Sequence, residues 1–205
     1  MTGTEPVILR RSSLALAARM CARAFSDAPH IKHFFPGEPQ RESDSVALFE
    51  MRIRYGLLRG EVHVTSSDLE GIAVWLPSSQ AHMTMWGQIR AGGIRLQRTV
   101  GNDAVARMTR VGKHNDQLRE RHVRDRYMFL SILAIDPEYQ HRGHATRLVG
   151  GMLSRLDRDG IACYAETTER DLLAFYQHLG FEAIDPSTVP GTDLTIWPLV
   201  RPSAG

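Results

Sequence analysis

Nine consecutive residues, Tyr127 to Ile135 (YMFLSILAI), are almost all apolar or aromatic. The run is far short of the roughly 20 residues a membrane-spanning helix needs, and its length suits a strand buried on both faces. Asp136-Pro137 ends it, because proline lacks an N–H and steers the residue before it away from helix. A polar turn follows from Glu138 to His144, with a glycine at Gly143. Behind it Leu148, Val149, Met152, Leu153 and Leu156 recur at helical spacing. The unit is strand, polar turn, helix, and a core must cover both sides of that strand.

This geometry has chemical content. The first turn of a helix leaves backbone N–H groups without partners, and the helix dipole adds partial positive charge there. A glycine in the turn allows a phosphate to approach the backbone. Gln140 to Thr146 therefore forms a cradle suited to a pyrophosphate, with Arg142 as an added cation and Thr146 as a hydroxyl donor. Many strand–turn–helix units bind nothing, so the physics alone leaves the structural alternative open. Neither a Gly-x-Gly-x-x-Gly pattern nor a Gly-x-x-x-x-Gly-Lys-Ser/Thr loop is present.

Composition narrows the class. The chain has 205 residues, 42% hydrophobic and 23% charged, ordinary values for a water-soluble globular protein. A balance of 25 basic against 23 acidic side chains leaves +2, which implies no strongly charged partner, neither nucleic acid nor membrane. Lys32 and Lys113 are the only lysines, so the basic side is nearly all arginine. Cys21 and Cys163 stand far apart, with no metal or redox spacing. The apolar run Leu14 to Ala18 is broken by Arg19, too short for a signal peptide. A cytoplasmic enzyme without a metal is the expectation.

Two motifs carry a family resemblance. Gln140, Gly143 and Ala145 fill the pattern Gln/Arg-x-x-Gly-x-Gly/Ala, between a long apolar strand and a helix. Asp171 to Phe181 (DLLAFYQHLGF) has a tyrosine in a helical stripe of Leu172, Leu173, Phe175, Tyr176 and Leu179, then a glycine where a helix C-terminus favours one. Together these resemble the acetyl-coenzyme A motif and the C-terminal signature of the GNAT N-acetyltransferases, over roughly Glu61 to the C-terminus. The resemblance implies an α/β (α+β) chain with the GNAT fold, a single domain over residues 1–205. It would have a mixed, mostly antiparallel sheet, one parallel βαβ cofactor unit and helices on both faces. It also implies acetyl-CoA, held by Leu133, Ala134, Ile135, Gln140, His141, Arg142, Gly143, His144, Ala145 and Thr146.

The rest of the chain reads in order. Val7 to Leu9 is a short strand, and Ser12 or Ser13 caps a helix with Leu14, Leu16, Ala17, Met20, Ala24 and Phe25 inward. Phe25 to Pro39 is rich in aromatics, His and Pro. In the family this segment lines the acceptor site, which nominates Asp27, His30, His33, Phe34 and Phe35; the alternative is a short helix with apolar residues packed inward. Ser43 to Leu58 is an amphipathic helix on Val46, Phe49, Ile53, Leu57 and Leu58. Glu61 to Ser66 and Leu69 to Leu76 form a hairpin. Pro77 to Asn102 reads as two short helices covering part of the acceptor cleft, an insertion that resembles the puromycin acetyltransferase-like branch. Ala104 to Arg126 is one long helix with Val105, Met108, Val111, Leu118 and His122 inward. Its seven basic residues against three acids fit a solvated face better than a nucleic-acid patch. Ile161 to Glu166 is a strand parallel to Leu130–Ile135, and Phe181–Ile184 pairs with Thr192–Leu199. Trp197 belongs to the core, and Arg201 to Gly205 fray.

Acyl transfer to an amine needs a route for the amine's proton, a donor to the oxyanion and an acid for the leaving thiolate. The resemblance assigns the acid to Tyr176 and the oxyanion donor to the backbone near Ala134 and Ile135. Glu166, at the end of the next strand, is the first candidate base, ahead of His63 and Asp27; the alternative makes it a capping or surface carboxylate. Relatives carry an Asn before the tyrosine helix where this chain has Thr167-Thr168-Glu169-Arg170-Asp171, which puts cofactor contacts from that position in doubt. The acceptor is expected to be a small-molecule amine, touching Asp27, His30 and Phe34, with the oligomeric state open to a homodimer. The alternatives are a GNAT-fold acyl-CoA-binding regulatory protein with little turnover, and an acetyltransferase for protein lysines or N-termini.

Overall fold

The computed structural model describes residues 7–203; residues 1–6 and 204–205, at the ends of the expected domain and of the expected frayed tail, lie outside them. The first strand, β1 (Val7–Ile8), leads through a 3-10 turn into α1 (Leu14–Ala24), then α2 (Pro29–Phe34) and α3 (Glu38–Arg59). The hairpin follows as β2 (Glu61–Val64) and β3 (Gly71–Pro77), and then α4 (Ser78–Ala81), α5 (Met85–Ala91) and α6 (Gly93–His122). The βαβ unit is β4 (Tyr127–Ile135), α7 (His144–Arg158) and β5 (Ala162–Thr167). The chain closes with α8 (Leu173–His178), β6 (Glu182–Ala183), β7 (Ser187–Thr188) and β8 (Thr195–Arg201).

One sheet joins them in the order β1-β2-β3-β4-β5-β8-β6, with β7 also on β8. Every pairing is antiparallel except β4 with β5. Alternate residues of β3 show why its sequence is apolar throughout. Ile72, Val74 and Leu76 enter the core beneath α1 and α3, while Ala73 and Trp75 enter a second core beneath α7. A strand covered on both faces has no polar side to present. Helices therefore lie on both faces, as expected.

Several boundaries differ from the sequence reading. The helix expected from Ser43 starts at Glu38, with Pro39 in its first turn, where a missing N–H costs nothing. Helix α6 starts at Gly93 rather than Ala104 and bends at Gly101 (φ 79°), so the last residues of the expected two-helix insertion belong to the long helix. Arg124 and Arg126 fall beyond its end, and His122 is exposed rather than inward. Leu16 and Leu58 are exposed, and Trp197 is half-buried, because β8 presents it beside Thr167 near the sheet margin. Arg201 is not frayed: it belongs to β8 and its guanidinium pairs with both carboxylate oxygens of Asp157. The two short helices expected after Pro77 are α4 and α5. Helix α4 packs against β3 and β4 at the end where Pro77 faces Met128, opposite the loop that leads into α7.

Candidate active site

The site begins with a strand that leaves its neighbour. β4 and β5 pair in parallel from Tyr127 with Ala162 to Leu130 with Ala165, and the pairing stops there. On the other side of β4, Leu130 faces Trp75 while Ile132 faces Val74, so Ser131 is an extra residue. Such a bulge bends its strand and increases the twist. Beyond it β4 stays with β3 as far as Ile135 opposite Gly71, while β5 stays with β8 as far as Thr167 opposite Trp197. The strands part into a cleft bordered on one side by Leu133, Ala134 and Ile135.

At the wide end of the cleft lies the loop into α7. Asp136 is buried, pairs with Arg23 of α1 and caps the following turn through Glu138 N (3.2 Å). His141 (φ 59°) and Gly143 (φ 75°) are both left-handed, flanking Arg142. Left-handed residues in such a turn gather N–H groups into a concavity that accepts anions. Gly143 is the N-cap of α7, so the free N–H groups of the first turn, His144 to Thr146, open beside it. A Cβ at Gly143 would meet nothing within 4 Å. Glycine is required there by its φ, not by crowding. The Arg142 guanidinium lies 5.5 Å from the Tyr139 ring centroid, and Gln140 donates from Nε2 to the Ile135 carbonyl at 3.2 Å.

At the narrow end stands Glu166. Side chains alternate along β5: Cys163 and Ala165 enter the core shared with α7 and α8, while Tyr164 enters the core under α1 and α3. Glu166 follows Tyr164 onto that second face. Asn115 Nδ2 donates to Glu166 Oε2 at 2.6 Å, and Arg119 Nη1 to Oε1 at 2.7 Å. Arg119 also pairs with Asp116 and lies over Phe129, 4.6 Å from its centroid. Burial raises the Glu166 carboxyl above the usual carboxylate range, against the opposing pull of Arg119 and Arg52. Glu166 is thus neither a helix cap nor a surface carboxylate.

Tyr176 approaches from the opposite face of the sheet. It is buried with Cys163, Ala165 and Phe181. Phe181 N donates to the Tyr176 carbonyl (3.0 Å) and Gly180 N to that of Gln177 (2.9 Å), with Gly180 left-handed at φ 83°. This is the Schellman closure, and its usual apolar contact is the Tyr176–Phe181 ring pair at 5.5 Å. The Leu-Gly-Phe triplet therefore fixes the ring. Burial pushes the Tyr176 phenol well above its ordinary pKa, with Cys163 and Glu169 adding to the shift, so it is protonated at neutral pH and holds a proton to give.

The aromatic segment before α3 does reach this region. His30 Nδ1 lies 3.0 Å from Thr168 Oγ1, just past β5, and its ring is edge-on to Phe25 and Phe34. Burial, then Arg52, holds His30 down to about 3, so it is neutral. Phe34 is buried, and its carbonyl accepts two bonds from Arg107 (3.0 and 2.8 Å). Asp27 is exposed and paired with Lys32 at 2.8 Å. His63 is set aside by position: it lies on β2, two strands from β4, bound to Glu61 (3.0 Å), which in turn meets Arg155 of α7.

Asn115, Arg119 and Arg52 were missed. Each had one signal, a polar residue in phase with a buried helical stripe: Val111, Asn115, Leu118 and Arg119 on α6, and Phe49, Arg52 and Gly56 on α3. The expectation of a solvated charged face on α6 is corrected at Arg119, which is buried and doubly paired.

Residues 97–183 match the model of the acetyltransferase (GNAT) domain. Several solved structures share the whole architecture. One, described as histone acetyltransferase HPA2 and related acetyltransferase from Corynebacterium glutamicum, aligns over 98% of both chains at 18% identity, TM-score 0.71. An insect putative arylalkylamine N-acetyltransferase 7 from the yellow fever mosquito covers 94% of this chain and 84% of its own at 15% identity, TM-score 0.61. An agmatine N-acetyltransferase mutant covers 95% and 97% at 12% identity, TM-score 0.56. The chain has the GNAT fold, and residues 97–183 of it match the GNAT acetyltransferase domain. It is an acyltransferase by that domain, with the matched stretch taking in α6, the β4–α7–β5 unit and the tyrosine helix.

Proposed function

We infer that this GNAT chain transfers an acetyl group from acetyl-CoA to the amine of a small molecule, by direct attack within a ternary complex. The observation that carries the reading is the parting of β4 from β5 at Leu130 and Ala165. It leaves a strand edge free to pair with an amide-bearing chain, and that edge leads to the anion-accepting turn before α7. The residues fit a pantetheine pyrophosphate: Leu133, Ala134 and Ile135 would take the arm, and Gln140 to Thr146 the phosphates, with Arg142 supplying charge. Acetyl-CoA supplies an acyl group activated as a thioester.

The chain's own groups divide the proton work. Glu166, held at two oxygens yet raised by its burial, receives the proton of the incoming ammonium through a remaining lone pair. Tyr176, on the other side of the sheet and protonated, gives its proton to the departing sulfur. Backbone N–H groups near Ala134 and Ile135 stabilise the oxyanion. His30 and Phe34 shape the acceptor side, with Asp27 at its exposed margin. The solved neighbours described as arylalkylamine and agmatine N-acetyltransferases support an amine acceptor. The free, buried Cys21 and Cys163 fit a reducing cytoplasm. The helices α4 and α5 between the hairpin and β4 are what supports the puromycin acetyltransferase-like branch.

The test is a free-thiol assay with acetyl-CoA across a panel of small amines, on the full chain and its Tyr176→Phe and Glu166→Gln variants. Thiol release on some amine, reduced in both variants, supports the reading. Release unchanged in both removes these roles, and no release on any amine removes the enzyme.

A further inference from the structure

Arg52 stands where a core residue belongs. On α3 it falls three residues after Phe49, which stacks on Phe25 at 5.2 Å, and four before Gly56. Gly56 lies so close to the sheet that a Cβ there would sit 2.5 Å from Val74 Cγ1. Residues at this spacing share one helix face, so Arg52 issues from the face pressed onto the sheet, one turn from that contact. Val74 is the partner of Ile132, beside the Ser131 bulge. The arginine therefore lies one helical turn from the level of the bulge.

Among the described residues Arg52 makes no hydrogen bond and no ion pair, although it is only partly exposed. The carboxylate nearest in role, Glu166, has its two oxygens engaged by Arg119 and Asn115. Asp116 is taken by Arg119 and by His82 at 2.6 Å. His30 meets Thr168, two residues past Glu166, at 3.0 Å; burial lowers the Arg52 guanidinium, against the attraction of Glu166, and Arg52 adds to the depression of His30. An arginine left without an anion in such surroundings is costly unless a ligand supplies one.

We propose that Arg52 binds a carboxylate of the acceptor, so that the substrate is an amino carboxylate whose amine faces Glu166 and whose acid group faces Arg52. This rests on the transferase reading above and names its acceptor class. A guanidinium fork matches a carboxylate through two parallel bonds, a geometry an ammonium cannot reproduce. Acids follow Glu166 on the chain: Glu169 is raised by burial and by the neighbouring charges of Asp171 and Asp27. A zwitterion meets carboxylates that draw its ammonium and an unpaired, half-buried cation that seats its acid group.

The experiment uses matched pairs differing only in the carboxylate, such as propylamine with 4-aminobutyrate and ethylamine with β-alanine. Binding to the full chain is read by calorimetry with and without acetyl-CoA, and turnover by thiol release. The amino carboxylate of a pair is expected to bind at least about tenfold more tightly, the worth of one charge-assisted contact. Arg52→Met is expected to collapse that preference to within about twofold, with a melting temperature equal to or above the parent, since it removes an unpaired charge. Arg52→Lys, which keeps the charge but not the fork, is expected to fall between. Equal binding within pairs, a preference that survives Arg52→Met, or no binding by any amino carboxylate overturns the proposal. Turnover of bare amines in that event leaves the transferase reading standing. Arg52-dependent carboxylate binding without any acetyl-CoA binding breaks the transferase reading instead.

Discussion

Arg119 of α6 holds Glu166 of β5 at 2.7 Å, beside the point where β4 and β5 part. The pair ties the helix before β4 to the strand after it, and it does so inside the core. Breaking such a pair from one side leaves the other charge buried and uncompensated. Arg119→Met is expected to cost about 3 kcal/mol, and the double variant Arg119→Met with Glu166→Leu less than the sum of the singles. Urea unfolding of the three variants measures this; additive losses would mean that the two residues do not act together. The pH sign follows from burial. Glu166 is raised in the folded chain, so its contribution is fully present below the ordinary glutamate range and is lost as pH rises through the folded value. Without Arg119 that loss steepens.

His30 gives the opposite slope. Its folded value of about 3 lies below the ordinary 6.5, so the unfolded chain binds the extra proton between the two. Stability is present above pH 6.5 and is lost as pH falls toward 3. His30→Asn keeps a polar group near Thr168 and removes the titration. Denaturation from pH 7 to pH 4 is expected to show a fall in the parent that is shallower in the variant.

Gly143→Ala separates backbone conformation from packing. Its φ of 75° is left-handed and the added methyl meets no atom within 4 Å, so the cost is conformational, about 1 kcal/mol. The melting temperature is expected to drop by about 3 °C for a chain of this size, with acetyl-CoA binding weakened more than stability. Binding at the parent level would show that the turn before α7 holds no phosphate.

Tyr176→Phe keeps the ring that packs on Phe181 and Phe175 and removes only the hydroxyl. The turnover number is expected to fall about 100-fold, with the melting temperature and acetyl-CoA affinity retained. A fall in affinity instead would make Tyr176 a binding residue.

These outcomes divide along the same line that separated what the sequence made readable from what it hid. Local patterns were legible: the apolar run of β4, the Schellman signature at Gly180, the hairpin of β2 and β3, and the loop from Gln140 to Thr146 each depend on residues close in the chain. The bulge at Ser131 was not, because an extra residue shows only when β4 is set against β3. Asn115, Arg119 and Arg52 were hidden for a related reason. A charge run on a helix looks solvated until the strand that buries it is in place, and Glu166 is 47 residues from Arg119. Glu166 itself was placed correctly at the end of the strand, but its partners could not be read from its neighbours.

The bulge offers a direct handle on the site. Deleting Ser131 would join Leu130 to Ile132 in regular register with Trp75 and Val74 while leaving each on its present face. The parallel pairing of β4 with β5 would then extend and the cleft narrow. Acetyl-CoA binding is expected to weaken at least about tenfold in a folded protein, by calorimetry beside circular dichroism. Undiminished binding would place the cofactor elsewhere.

Titration of the full chain with acetyl-CoA by calorimetry tests the central claim most directly. The parted strands and the turn before α7 predict one saturable site per chain, with a dissociation constant on the order of micromolar. No heat of binding at protein concentrations about a hundredfold above that would contradict the assignment of the cleft.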